Sequence, residues 1–101
     1  MSGRLGILVT SDRHWDHVLG VTEAAAKSGV KVTLFFTGEG VRLTGHRDFG
    51  RLPGIAQVDL CEVSYRACGL EGDVPGLSFK NFATQAKNAE MLEDSDRFLV
   101  F

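Results

Sequence analysis

One stretch decides the fold of this chain: residues 4–36, RLGILVTSDRHWDHVLGVTEAAAKSGVKVTLFF. It contains two continuous apolar runs, at residues 5–9 and 32–36, which are typical of strands buried on both faces of a sheet. Between the runs, apolar residues recur at helical spacing until Gly29, which ends the predicted helix. A strand, a helix and a strand at this length form a right-handed crossover, so we expect the two strands to be parallel.

The predicted first helix has a polar start and one buried stripe. Ser11 or Asp12 is the expected N-cap, because short polar side chains accept hydrogen bonds from the first free N–H groups of a helix. The stripe predicted to face the sheet consists of Trp15, Val18, Leu19, Thr22, Ala25 and Ala26.

The rest of the chain continues the alternation of strands and helices. Strands are predicted at residues 56–60 and 97–101, a short helix near Cys61, and a longer helix at residues 79–92. The sequence therefore predicts a three-layer α/β fold: a mostly parallel sheet of four to five strands with helices on both faces, in a single domain covering residues 1–101. The stripe expected to bury the longer helix consists of Phe79, Phe82, Ala83, Ala86 and Ala89.

Composition narrows the classes of function. The chain has 101 residues and a formal charge of -2, with 11 basic and 13 acidic side chains, which argues against direct binding of nucleic acid. The first four residues lack the features of a secretory signal, and no apolar run approaches the length of a membrane span. We therefore expect a cytoplasmic protein without a membrane span. Its two cysteines are expected to be free thiols, and it needs no cofactor to hold its fold.

Cys61 is the candidate nucleophile. It lies where a predicted strand passes into a helix, so unpaired N–H groups and the helix dipole favour its thiolate. The carboxyl ends of parallel strands meet at one edge of a sheet, and residues 10–17 and 37–43 should lie at this edge with Cys61. A second interpretation stays open, because free cysteine is also among the most frequently buried residues and packs as a small hydrophobic side chain.

Neither Cys68 nor the glycines after the second strand predict a further functional site, because the first is too far from Cys61 for a disulfide and the second do not form a dinucleotide-binding sequence. Seven residues of helix would separate Cys68 from Cys61 by about 10 Å, which is too far for a disulfide. Cys68 is therefore predicted to pack in the core or at the helix end, and a resolving role is the alternative. Gly38-Glu39-Gly40 lacks the continuation of a dinucleotide-binding sequence, because position 43 is Leu, so these glycines are predicted to form a tight turn into a helix beginning near Val41. Glu39 remains a candidate contact for a substrate or partner.

His14 and His17 form a second candidate site. Their spacing would let both imidazoles reach one metal ion, with His46 as a third ligand only if a loop brings it over. The alternative is an exposed first turn of a helix in which Asp16 favours the dipole. A third interpretation places His14 or Trp15 beside the approach to Cys61.

The chain resembles the DsrE/DsrF/TusD-like sulfur-relay proteins, which share the YchN-type fold. The resemblance is carried by the first strand and helix, by residues 32–41 (VTLFFTGEGV), and above all by residues 58–70 (VDLCEVSYRACGL), and it covers nearly the whole chain. It implies a flavodoxin-like topology, a persulfide on Cys61, a homo-oligomer such as a trimer or hexamer, and other sulfur-carrier proteins as partners. The residues expected to contact a substrate or partner are His14, Trp15, Glu39, Glu62 and Ser64.

The leading hypothesis is a cytoplasmic sulfur-transfer or sulfur-carrier protein that passes sulfane sulfur through a persulfide on Cys61. If it is an enzyme, it is a sulfurtransferase. N–H groups near Glu62 and Val63 would stabilise the anion. Two alternatives remain: a non-catalytic subunit of a sulfur-relay complex in which Cys61 only packs, and a metal-binding or small-ligand module at His14 and His17.

Overall fold

The computed structural model describes residues 3–101. Met1 and Ser2, which begin the segment considered above for a signal sequence, lie outside the described residues. The described chain forms one five-stranded sheet in the spatial order β4-β3-β2-β1-β5, and every pair of neighbouring strands is parallel. The strands are β1 (Arg4–Val9), β2 (Lys31–Phe36), β3 (Gln57–Cys61), β4 (Phe82–Ala83) and β5 (Arg97–Val100).

Helices cover both faces of this sheet. The α-helices are α1 (Trp15–Lys27), α2 (Glu62–Ala67) and α3 (Gln85–Asp94). Shorter 3-10 segments occupy Gly38–Gly45, Phe49–Arg51 and Phe79–Asn81. A parallel sheet between two helical layers is the three-layer α/β architecture of the flavodoxin-like class, so the predicted fold class is confirmed. Within residues 3–101, no helix has both the length and the apolar character that crossing a membrane requires.

The alternation of side chains along the strands divides the core into two clusters. On β3, Val58 and Leu60 point into the larger cluster, which lies under α1, α2 and the 3-10 segments Gly38–Gly45 and Phe49–Arg51. Cys61 points the opposite way, into a smaller cluster with Phe35 of β2 and Met91 of α3. Because side chains on a strand alternate between the two faces, Cys61 belongs to the layer that α3 covers.

The helix α1 forms where the sequence predicts it, with a different start. Trp15, Val18, Leu19 and Thr22 are buried, and the helix stops before Gly29, whose φ is 83°. The predicted N-cap is wrong, because His14 occupies the cap position and makes no side-chain cap hydrogen bond. The Ser11 hydroxyl instead accepts a hydrogen bond from the N–H of Arg13 at 3.1 Å, which forms a local turn.

The prediction for residues 79–92 is wrong over its first part. Residues 79–81 form a 3-10 turn, β4 follows, and α3 begins only after Thr84, whose side chain accepts a hydrogen bond from the Ala86 N–H at 3.2 Å. The predicted stripe is also wrong, since Phe79 is 86% exposed and the buried residue of α3 is Met91. The spacing of the apolar residues fits a helix, but strand pairing of Phe82 with Leu60 takes precedence.

The winding of the sheet reverses between β1 and β5. The chain adds β2, β3 and β4 on one side of β1 and then crosses to add β5 on the other side. The topological switch point therefore lies at β1 and β5. Cys61, at the end of β3, is two strands away from it.

Gly40 should tolerate no side chain, because a Cβ there would overlap the carbonyl oxygen of Val9 and lie 2.8 Å from its carbonyl carbon. We expect Gly40→Ala to lower the free energy of unfolding by about 3 kcal/mol, because overlap with backbone cannot be relieved by a change of rotamer. Urea denaturation measures this value.

Gly20→Ala is the matched control. Gly20 lies within α1, and a Cβ there would meet no atom within 4 Å. It should raise the free energy of unfolding by about 0.5–1 kcal/mol, as alanine favours helix over glycine. Equal effects of the two substitutions would contradict the close approach at Gly40.

Candidate functional site

Cys61 lies at the predicted junction, but it is not exposed. It is the last residue of β3 and the N-cap of α2, and it pairs with Ala83 across the sheet. The residue is only 5% exposed and packs against Phe35 and Met91. The strand-to-helix corner is therefore as predicted, whereas an accessible sulfur is not present in this conformation.

The Cys61 sulfur has polar as well as apolar neighbours. Burial raises the pKa of the Cys61 thiol, but the Ser64 hydroxyl and the Ser64 N–H lower it. The side chains of Gln85 and Thr37 lower it further, and the net pKa is below the ordinary value. Ser64 occupies the third position of α2, whose N–H has no partner within the helix, and the Cys61 side chain makes no cap hydrogen bond to it in this conformation. The N–H favours the thiolate as an unpaired donor close to the sulfur.

These polar neighbours form a connected network. The Ser64 hydroxyl accepts a hydrogen bond from the Gly38 N–H at 3.0 Å and lies 3.2 Å from the Thr37 hydroxyl. The Gln85 amide donates to the same Thr37 hydroxyl at 3.0 Å. An amide nitrogen has two protons, so Gln85 keeps one for the sulfur. The bond between Thr37 and Ser64 uses one of the two hydroxyl protons, so the network leaves one hydroxyl proton and one Gln85 amide proton for an ionised Cys61.

Gly38 joins this network to the second cysteine. Its φ of 56° is a conformation that glycine adopts readily, and it turns the chain immediately after Thr37. Its carbonyl faces the Cys68 sulfur at 3.7 Å, while its N–H faces Ser64. One residue thus contacts the surroundings of both thiols through its two peptide groups.

Cys68 has the opposite electrostatic environment. Its sulfur donates to the Glu39 carboxylate at 3.5 Å, and Glu39 also pairs with Arg42 at 2.6 Å. Burial and the Glu39 carboxylate raise the pKa of the Cys68 thiol. Cys68 is the C-cap of α2, so the whole helix separates it from Cys61. Glu39 therefore lies beside Cys68, and no hydrogen bond or ion pair among residues 3–101 connects it directly to Cys61.

The structure separates Trp15 from Cys61. Trp15 is buried in the larger cluster, stacked on His46 with ring centroids 4.6 Å apart. Its indole N–H has no hydrogen-bond partner among residues 3–101. Trp15 thus lies on the face of the sheet opposite to the Cys61 sulfur.

The two histidines lie at the switch point. The rings of His14 and His17 are 6.1 Å apart and both lie near Phe101, with centroids at 6.5 and 6.4 Å. His46 is held elsewhere, since its Nδ1 accepts a hydrogen bond from the Asp48 N–H. Among the described residues, no three histidine, cysteine or acidic side chains are grouped as metal ligands would be.

Ser64 and Glu62 lie beside Cys61 on α2. Glu62 is half-buried and pairs with Arg66 at 3.1 Å, whereas Ser64 contacts the sulfur. Thr37 and Gln85 are site residues that the sequence did not single out, although residues 37–43 were expected at this edge of the sheet. Thr37 could have been found from its place at the end of β2, but Gln85 was hidden by the wrong start of α3.

No family model matches this chain, and no curated protein matches it. The resemblance to DsrE-like proteins therefore stays a prediction based on the residues given above.

The lowered pKa of Cys61 predicts a pH dependence of stability. Below the ordinary thiol value of 9.0 there is a range in which the native state has lost the Cys61 proton and the unfolded chain keeps it. Stability should rise with pH across this range by at most about 1.4 kcal/mol per pH unit, and the gain should be lost as the pH falls through the native pKa. Denaturation of Cys68→Ser at several pH values measures it.

Cys68→Ser is the proper background, because the raised pKa of Cys68 makes the free energy of unfolding fall as the pH rises, which opposes the effect of Cys61. Cys61→Ser in that background should abolish the rise. Ser64→Ala should raise the Cys61 pKa, measured by thiolate absorbance, whereas Ser78→Ala should leave it unchanged because Ser78 hydrogen-bonds with Asn81. An unchanged pH slope without Cys61 would refute the thiolate assignment.

Proposed function

We propose that the chain is a sulfur carrier in which Cys61 accepts sulfane sulfur as a persulfide and passes it to an acceptor thiol. The observation that supports this most is the polar network at the strand-to-helix corner, where Ser64, Thr37 and Gln85 are hydrogen-bonded to one another and lower the pKa of the Cys61 thiol. A cysteine that only fills a core has no need of hydroxyl and amide donors directed at it. Sulfur transfer, in contrast, requires a thiolate both as the attacking group and as the leaving group.

In the loading step, the Cys61 thiolate attacks the outer sulfur of a donor persulfide. A bond forms between Cys61 Sγ and that sulfur, the donor S–S bond breaks, and the donor leaves as a thiolate that takes the electron pair of the broken bond. There is no net oxidation or reduction. The persulfide anion remains within reach of the Thr37 and Gln85 donors.

In the unloading step, an acceptor thiolate attacks the outer sulfur and Cys61 departs as a thiolate. A lower thiol pKa makes a better leaving group, so the groups that favour ionisation of Cys61 assist release as well as loading. The same three side chains thus serve both directions.

Access to the buried sulfur is expected through Gln85. Gln85 is the exposed first residue of α3, and its neighbour Thr84 is exposed too. Rotation of a surface glutamine side chain is fast compared with opening of a core. We expect a donor or acceptor to displace the Gln85 amide, which also removes one of the donors to the sulfur.

Incubation with inorganic polysulfide should add one sulfur atom to the protein, detected by intact mass and located on Cys61 by peptide mapping. Cys61→Ser should remove the adduct, and Cys68→Ser, the matched control, should retain it. Ser64→Ala should slow loading at neutral pH because it reduces the thiolate fraction.

An adduct that persists in Cys61→Ser, or that maps to Cys68 alone, would overturn the proposal. A Cys61 thiol that stays unloaded while the fold is intact would favour the alternative of a non-catalytic interaction subunit.

A further inference from the structure

A groove of about 600 Å³ lies beside α2 and the loop that follows it. We name it the α2 groove. It runs between α2, the loop that follows it, and the segment formed by residues 79–82. Its lining combines aromatic rings with charged side chains, namely Tyr65, Phe79 and Phe82 with Glu62, Arg66, Glu71 and Asp73.

The aromatic rings are held at fixed angles. Tyr65 and Phe82 meet edge to face, with centroids 5.1 Å apart and an interplanar angle of 86°. The Tyr65 hydroxyl donates to the backbone carbonyls of Gly72 at 3.3 Å and of Glu71 at 3.5 Å, which fixes the ring against the loop. Phe79 is 86% exposed. A large, solvent-exposed aromatic side chain at the rim of a groove is typical of a surface that contacts a partner.

The charges of the groove are predominantly negative. Its lining holds three carboxylates against one guanidinium, and that guanidinium, Arg66, is already paired with Glu62 at 3.1 Å. Glu71 and Asp73 form no ion pair with any residue in the range 3–101, and both are exposed. An entering anion would be repelled, and an entering cation would meet two free carboxylates.

We propose that the α2 groove binds a lysine or arginine side chain of a partner polypeptide. Aromatic faces attract cations through their quadrupoles, and carboxylates add direct Coulomb attraction. The groove begins at Glu62, next to Cys61, and Phe82 pairs with Leu60 directly before Cys61. The identity of the partner as a sulfur donor or acceptor rests on the proposed function, whereas cation binding by the groove does not.

The test is a titration followed by NMR with the pentapeptide acetyl-Gly-Gly-Lys-Gly-Gly-amide. The Lys peptide should shift the Tyr65, Phe79 and Phe82 ring signals and the amides of residues 69–73. Peptides with Gln or Glu in place of Lys should shift them much less. Binding should weaken about fivefold in the double variant Glu71→Gln/Asp73→Asn and about threefold in Phe79→Ala.

Matched controls lie on α3. Glu93→Gln removes an exposed carboxylate and Leu92→Ala an exposed apolar side chain outside the groove, and both should bind the Lys peptide as the unchanged protein does. Equal shifts with the Glu peptide, or unchanged affinity in the double variant, would overturn the proposal. Binding of putrescine as tight as that of the peptide would overturn the polypeptide as its occupant.

Polysulfide loading of Cys61, measured on the same unmodified protein, separates the two proposals. A loaded Cys61 without selectivity for the Lys peptide refutes the groove alone. A selective groove with an unreactive Cys61 refutes sulfur transfer and retains cation binding.

Discussion

The hydroxyl of Ser64 joins the two chain segments that leave β2 and β3. It accepts the N–H of Gly38 from the first segment and stands beside the Cys61 sulfur in the second. The side chain can do this because α2 starts immediately after β3 and places its third residue back over the strand end. Strand pairing holds Cys61 against Ala83, the Thr37 N–H bonds to the Val9 carbonyl, and the Ser64 contact adds the link between the two segments. A loop shift of even one residue at either strand would separate the sulfur from its donors.

Burial and hydrogen bonding act in opposite directions on the pKa of Cys61 and in the same direction on the pKa of Cys68. At Cys61 the neighbours are N–H and O–H donors, which stabilise the thiolate more than burial destabilises it, so the pKa is lowered. At Cys68 the nearest polar group is a carboxylate, which adds to the effect of burial and favours the protonated form. The two cysteines at the two ends of one short helix therefore differ in chemistry because of their neighbours, which are a helix N–H and polar side chains at Cys61 and a carboxylate at Cys68.

The sequence predicts the strand pattern and the first helix well, because both rest on local periodicity. The apolar runs at β1 and β2 are buried, and Gly29 follows the end of α1 as expected. Prediction was weaker where a non-local contact decides. Spacing alone predicts that Phe82 lies on the buried stripe of a helix. In the structure Phe82 pairs with Leu60 in the sheet, and Thr84 is the N-cap of α3. Because Gln85 reaches Thr37 across 48 positions of sequence, no spacing rule could have placed it at the sulfur.

The layer above Cys61 is thin. On that face of the sheet α3 contributes a single fully buried residue, Met91, whereas the opposite face is covered by α1, α2 and two 3-10 segments. Local opening takes the least free energy where the fewest apolar contacts must be broken. Displacement of the exposed Gln85 side chain at the start of α3 would therefore uncover the thiol while the larger cluster stays intact, so the sulfur can meet solvent without global unfolding.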